Sequence, residues 1–409
     1  MSRSLLSDPH WDVRKEAALA LGNYEHLALE PLLPILYDDD PEVQEGAAEA
    51  IAKIGPVAVE PLLKILETGD DYVRIGACLS LMTIPDSRII PAILRILRDK
   101  QVDAELRSYA AQVLAQFNSE EPISTLTGIV ESETENEEVR KGAVIALRNI
   151  TDSNERIADT LFKALSDKSD GVRAAATWYL ERFKAEGVTA RLLAALNDPA
   201  VYVRRSAIGV LRELNTDEAT RVLMEHLQVK TDLDTKIRII EALGKAKSPP
   251  FLELLLQFLH NPQDTYLLHT TVEALARLSD PRAVEPILQK LLECPPEMLS
   301  SKKIAKALKS FEVMAVPRLI ELLDTPNSEW RAVVVYALGE IGNKRASRAL
   351  LNCVTDPDLW VSIGAIHALG KIGDKSVLPD MIKFEQAFPE DISCEVTQAI
   401  FDIRYSSKD

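Results

Sequence analysis

The chain has 409 residues, 46% of them hydrophobic but only 5% aromatic, and its formal charge is −16. Without an offsetting basic tail, that acidity makes nucleic acid and anionic membranes poor partners, because phosphate binding needs concentrated Lys and Arg. No apolar run approaches the roughly 20 residues of a membrane span, and the N-terminus lacks a signal-peptide pattern. The four cysteines (Cys78, Cys294, Cys353, Cys394) are scattered without a C-x-x-C pair, which points to a reducing, cytoplasmic setting and away from a disulfide framework or zinc site.

The first clear element is "DPHWDVRKEAALALGN", Asp8 to Asn23. It supplies a template, V-R-x-x-A-A-x-A-L-G. Numbering its first residue as position 0, small or apolar residues at positions 0, 4, 5, 7 and 8 lie on one face at helical spacing. The template returns from Val43, Val73, Leu106, Val139, Val172, Val203, Thr235, Leu267, Ser300, Trp330, Val361 and Ile392, at intervals of 30 to 33 residues. An Asp-rich turn precedes most copies, where Asp can cap orphan amides and complement the helix dipole. Gly55, Gly342 and Gly373 close their copies and predict left-handed helix ends.

Between templates runs a second amphipathic helix, as in "VAVEPLLKILE", "RAVEPILQKLLE" and "VMAVPRLIELLD". Pro61, Pro286 and Pro317 fall near its start, where a missing amide costs little. No run of alternating β-branched residues occurs. The spacing therefore predicts an all-α chain, a right-handed α-solenoid of about 13 helical-pair repeats forming one array over 1–409. Residues 1–23 are expected to form an incomplete N-terminal cap, and 375–409 the C-terminal cap. The eighth to tenth copies drift, placing Lys236, Leu268 and Ser301 where earlier copies have Arg.

The Pro of the first helix, the turn Asp and the Val-Arg opening of the second helix resemble the HEAT repeat, and within it the short bacterial type named after phycobilisome lyases. The resemblance covers essentially all of residues 8–405. It implies that the second helix of each repeat lines a concave binding face. Template positions 3, 6 and 10 share one helix face off the buried stripe. On that face the candidate ligand- or partner-binding residues are Ile145, Trp178, Arg182, Arg238, Glu241, Lys245, Glu273, Arg277, Tyr336 and His367. Apolar and aromatic groups beside charges mark binding surfaces. The opposing reading is that Trp178 and Tyr336 fill gaps left by small neighbours.

Arg14, Arg74, Arg107, Arg140, Arg173, Arg204 and Arg331 form a column. Each follows an acidic turn, so pairing with the Asp of its own or the adjacent repeat is expected, rather than a phosphate track. Trp11 and Trp360 are expected to pack between repeats.

The sequence offers no Gly-rich phosphate loop, G-x-S-x-G or H-E-x-x-H. Its six His are dispersed, Cys78 and Cys353 sit among apolar neighbours, and Cys294 is expected in an exposed turn. No catalytic residue, metal site or cofactor is predicted. The lyase resemblance implies binding of a linear tetrapyrrole and its attachment to a cysteine of a phycobiliprotein, by positioning more than by covalent machinery. The "NHCQG" motif of isomerising lyases is absent. The alternative is a non-catalytic scaffold that holds another protein in its groove.

Overall fold

The computed structural model describes residues 2–150, 155–182, 188–228, 232–246, 251–260, 264–293, 306–311, 314–387 and 390–406. Among them α- and 3-10 helices alternate with short turns and no strand occurs. The chain divides into two compact units, Met1–Val210 and Leu211–Asp409. The predicted Cys294 turn and the start of the tenth template, Ser300 to Lys303, lie outside the described residues.

In each unit the template helices form one layer. In the first unit Trp11–Leu21 packs on Pro41–Ile54, then come Asp71–Leu81, Ala104–Val113, Glu137–Asn149 and Asp170–Tyr179, each against the next. The first helices of the repeats form the other layer, Val59–Thr68 on Ile89–Arg98, then Glu120–Glu131 and Glu155–Ala164, the last without a Pro. In the second unit Leu233–Ala246 packs on Thr265–Leu278, and Ser328–Ile341 on Leu359–Ile372 and then Glu390–Arg404. The core lies between layers: Val59, Leu62 and Leu66 recur at helical spacing on one side, and the template helix packed on theirs buries Val73, Ala77 and Leu81 on the other. The second repeat is irregular. Pro31 and Pro34 fall in a segment broken into Gly22–Ala28, Leu29–Leu32 and Leu33–Tyr37, the first and last of them 3-10.

Two features of the template acquire physical reasons. Its Gly at position 9 is a contact point between successive template helices. A methyl on Gly22, Gly339 or Gly370 would stand 2.9, 2.9 or 3.1 Å from the Cα of Ala50, Ala368 or Ala399. The Gly closing the helix is a separate requirement: Gly342 and Gly373 end their helices in the left-handed conformation, with φ of 73° and 71°, as the sequence predicts, whereas Gly55 has a positive φ of 81° with ψ −146°, outside the left-handed helical region.

The Arg column is the other feature. Arg14 places Nε and Nη2 on the two carboxylate oxygens of Asp38, at 2.7 and 2.8 Å, while Nη1 donates to the carbonyls of Asp8 and Pro9 in its own turn. Arg173 does the same with Asp198 and the Asp167 and Lys168 carbonyls, and Arg331 with Asp356 and the Thr325 and Pro326 carbonyls. Arg140 pairs with Asp167, and Arg107 with Glu135. Each fork-to-fork rung ties a turn to the turn of the next repeat. The carboxylates also cap their own loops, with Asp38, Asp198 and Asp356 accepting from the amides of Asp40, Ala200 and Asp358. Arg14, Arg107, Arg140, Arg173 and Arg331 are therefore structural. Where Arg gives way to Lys236, Leu268 and Ser301, the acceptor positions read Pro262, Pro295 and Thr325, so both halves of the rung are missing together.

Candidate functional site

On the template helices, positions 6 and 10 reach the surface in most copies, while position 3 is closed in several. Gly46 and Gly142 at position 3 meet the preceding template helix through Lys15 and Ser108, and Ser206 and Thr270 are buried. The expectation that position 3 belongs to the open face is corrected at these four residues, whereas Arg238 at the same position has a side chain 40% exposed.

In the first unit, Ile145 is half-buried and packs against the core. Trp178 is half-buried, and a methyl on Gly209 would stand 2.6 Å from its ring carbon Cη2. The indole thus lies along the glycine of the next helix, as the gap-filling reading expects. Arg182 donates Nη1 to the carbonyls of Arg148 and Ile150, at 3.0 and 2.7 Å, and so closes the end of Glu137–Asn149. Its guanidinium also stands 5.9 Å from the Tyr179 ring centroid.

In the second unit, Arg238 donates Nε to Asp234 at 3.3 Å, one turn before half-buried Glu241. Lys245 lies on the same helix, and its side chain is outside the described residues. Arg277 pairs with Glu273 at 3.7 Å and has Nη1 3.9 Å from where a methyl on Gly244 would stand. Arg238, Glu241, Glu273 and Arg277 thus lie on two adjacent helices. Further along, Tyr336 is exposed beside Glu340, which also contacts Lys371, and exposed His367 precedes Lys371 by one turn. Partial burial, then the neighbouring Glu340, push the Tyr336 phenol up. The ten candidates therefore form local groups: Ile145, Trp178 and Arg182 in one unit, and Arg238 to Arg277 and Tyr336 with His367 in the other.

A regularity that the sequence reading passed over stands at the N-terminal ends of the template helices. Asp12, Glu42, Glu105, Glu138, Asp234 and Glu329 are each the second residue of their helix. A carboxylate there complements the helix dipole. Four helices put an aromatic residue at the same place: Tyr72, Tyr202, Tyr266 and Trp360. They are 43, 64, 55 and 77% exposed, and Trp11, one residue earlier on its helix, is 47% exposed. Packing between repeats, expected for Trp11 and Trp360, is overturned by that exposure. The signal was present in the sequence as the residue just before the template, outside the positions compared.

Burial pushes the Cys78 thiol up to about 12 and that of Cys353 up to about 11, so neither is a thiolate near neutrality. No group of His, Cys, Asp and Glu placed to hold a metal occurs among the described residues, and none of the helices searched is long and apolar enough to cross a membrane.

A family model described as HEAT repeats matches residues 2–81, 29–104, 59–135, 90–181, 132–205, 158–244, 189–276 and 316–391. Among curated proteins none matches significantly. Of solved structures, yeast importin-β (Kap95p) superposes with a TM-score of 0.51 at 14% identity, covering 97% of this chain and 66% of that one. The Kap95p structure described with RanGDP gives 0.49 at 14% identity, covering 96% and 64%. YibA of Escherichia coli gives 0.47 at 18% identity, covering 66% and 97%. The chain thus spans about two thirds of the importin. At these identities the likeness concerns the fold.

Proposed function

Because the chain belongs to the HEAT-repeat family, we propose that it is a non-catalytic scaffold that holds a protein partner, and that within each unit the partner docks on the N-terminal ends of the template helices. One observation carries this reading. Four template helices put an exposed Tyr or Trp at the place where six others put a carboxylate that favours a helix start, and Asp170–Tyr179 has Gly171 there. The aromatics contribute nothing to the dipole and little to the core, so their use is external. Tyr and Trp are frequent hot-spot residues of protein interfaces. An aromatic ring beside a carboxylate suits Lys or Arg on a partner, which gains both a cation–π contact and an ion pair. The acidity of the whole chain steers such a basic segment inward.

The narrower reading, attachment of a bilin to a phycobiliprotein, would use Ile145 and Trp178 as an apolar slot, Arg238, Lys245 and Arg277 for propionates, and Glu241 and Glu273 for pyrrole nitrogens. Trp178 seated on Gly209 and Arg182 committed to main-chain carbonyls count against a slot of that kind.

Cross-linked capture with the full chain and with Tyr202→Ala/Trp360→Ala tests the proposal. The double variant is expected to lose at least tenfold of the proteins that the natural sequence retains, at unchanged helicity. Equal retention by both sinks the edge. A red-shifted, sharpened absorbance band on mixing with phycocyanobilin would favour the bilin reading instead.

A further inference from the structure

The arginine rung of the third template copy is open. Arg74 has its sequence counterpart in Asp99, 25 residues on, the same separation as Arg173 to Asp198 and Arg331 to Asp356. Asp99 also makes the local cap of the closed rungs, accepting from the Gln101 amide at 2.9 Å. The two nevertheless do not pair. Arg74 sends Nη1 to Asp71 of its own turn at 2.8 Å, and its Nε is buried with no acceptor.

The turn explains the gap. Asp99 stands seven residues before Leu106, where Asp38, Asp198 and Asp356 stand five before Val43, Val203 and Val361. The longer turn leaves a cavity of about 350 Å³, with Arg74 and Asp99 in its wall. That is the size at which small-molecule sites begin. Leu66 and Ile96 supply apolar wall, and Glu67 and Arg95 pair with each other at 3.0 Å.

What remains unsatisfied decides the ligand. Arg74 offers the Nε edge that takes a carboxylate in the Arg14, Arg140, Arg173 and Arg331 rungs, and Asp99 offers an acceptor. A simple anion placed on Arg74 would meet Asp99 and Glu67, and a simple cation placed on Asp99 would meet Arg74 and Arg95. We infer that the open rung binds a small zwitterion of the amino-acid or dipeptide class, its carboxylate on Arg74, its ammonium on Asp99 and any side chain against Leu66 and Ile96. The site is independent of the aromatic edge.

The test uses the full chain, titrated with glycine, β-alanine, 4-aminobutyrate and leucylglycine, and with acetate and methylammonium as single-charge controls. The readout is the ¹H–¹⁵N signal of the Arg74 Nε–H group, identified by its loss in Arg74→Lys. At least one zwitterion is expected to saturate at one per chain, tenfold or more tighter than either control, and Asp99→Asn is expected to abolish that preference. Three results overturn the inference: no saturable shift with any zwitterion, acetate binding as well as the zwitterions, or full affinity in Asp99→Asn.

Discussion

Replacing Arg107 by Ala is expected to destabilise the first unit by about 3–5 kcal/mol, the usual cost of removing one partner of a buried ion pair. Arg107 and Glu135 have side chains only 4% and 3% exposed. Arg107 places Nη1 and Nη2 on the two Glu135 oxygens at 2.9 and 2.7 Å and also donates to the Leu97 carbonyl. Without it, Glu135 is left buried with Lys100 and the Asn136 amide as its remaining donors. The Arg107→Met/Glu135→Leu double variant should recover most of the loss, because an apolar pair of similar volume leaves no charge unmatched. Urea midpoints of the three proteins check both statements, and a loss under about 1 kcal/mol in Arg107→Ala would place this rung with ordinary surface pairs. Acid adds an independent check. Burial pushes the Glu135 carboxyl up, but hydrogen bonds from Arg107, Lys100 and the Asn136 amide outweigh it and hold it at about 2, below its ordinary 4.5. The folded value is the lower one, so this stabilisation is complete above about pH 4.5 and is lost as pH falls toward 2. Arg107→Ala should flatten that part of the stability profile.

The second large effect is expected at Gly142. In an exposed helix interior, Gly→Ala usually gains about 0.5–1 kcal/mol. Gly128 in Glu120–Glu131 has nothing within 4 Å of an added methyl and should follow that rule. At Gly142 the same methyl would stand 2.5 Å from Ser108 Oγ and 2.6 Å from the Ser108 carbonyl oxygen. Gly142→Val therefore has to push apart Ala104–Val113 and Glu137–Asn149, at a cost of about 3 kcal/mol, the upper end for overpacking. Opposite signs for Gly128→Ala and Gly142→Val in thermal unfolding support the close approach; a gain in both contradicts it.

The sequence was most legible where one physical requirement repeats. Helix periodicity, the early Pro of the first helix and the closing Gly residues recur at a fixed interval, so any single copy is corrected by its neighbours. The Arg column was legible for the same reason, because each Arg follows an acidic turn. What could not be read was the choice of partner. Nothing in "DYVRIGAC" says that Arg74 turns to Asp71 and not to Asp99, since that depends on a turn two residues longer between other elements. The surface was harder still. Trp178 stands at an outward template position, yet the glycine that receives its ring is 31 residues on in Gly209. Trp360 looked like packing because most large aromatics are, and only the exposure of four equivalent residues shows the opposite.

The most direct measurement is hydroxyl-radical footprinting of the chain alone and with the protein it captures. The scaffold account predicts that oxidation of Tyr72, Tyr202, Tyr266 and Trp360 falls on binding, while exposed Tyr24 and Tyr405, away from the aromatic edge positions, keep their rates. Unchanged oxidation of the four edge aromatics, with protection falling elsewhere on the chain, would contradict it.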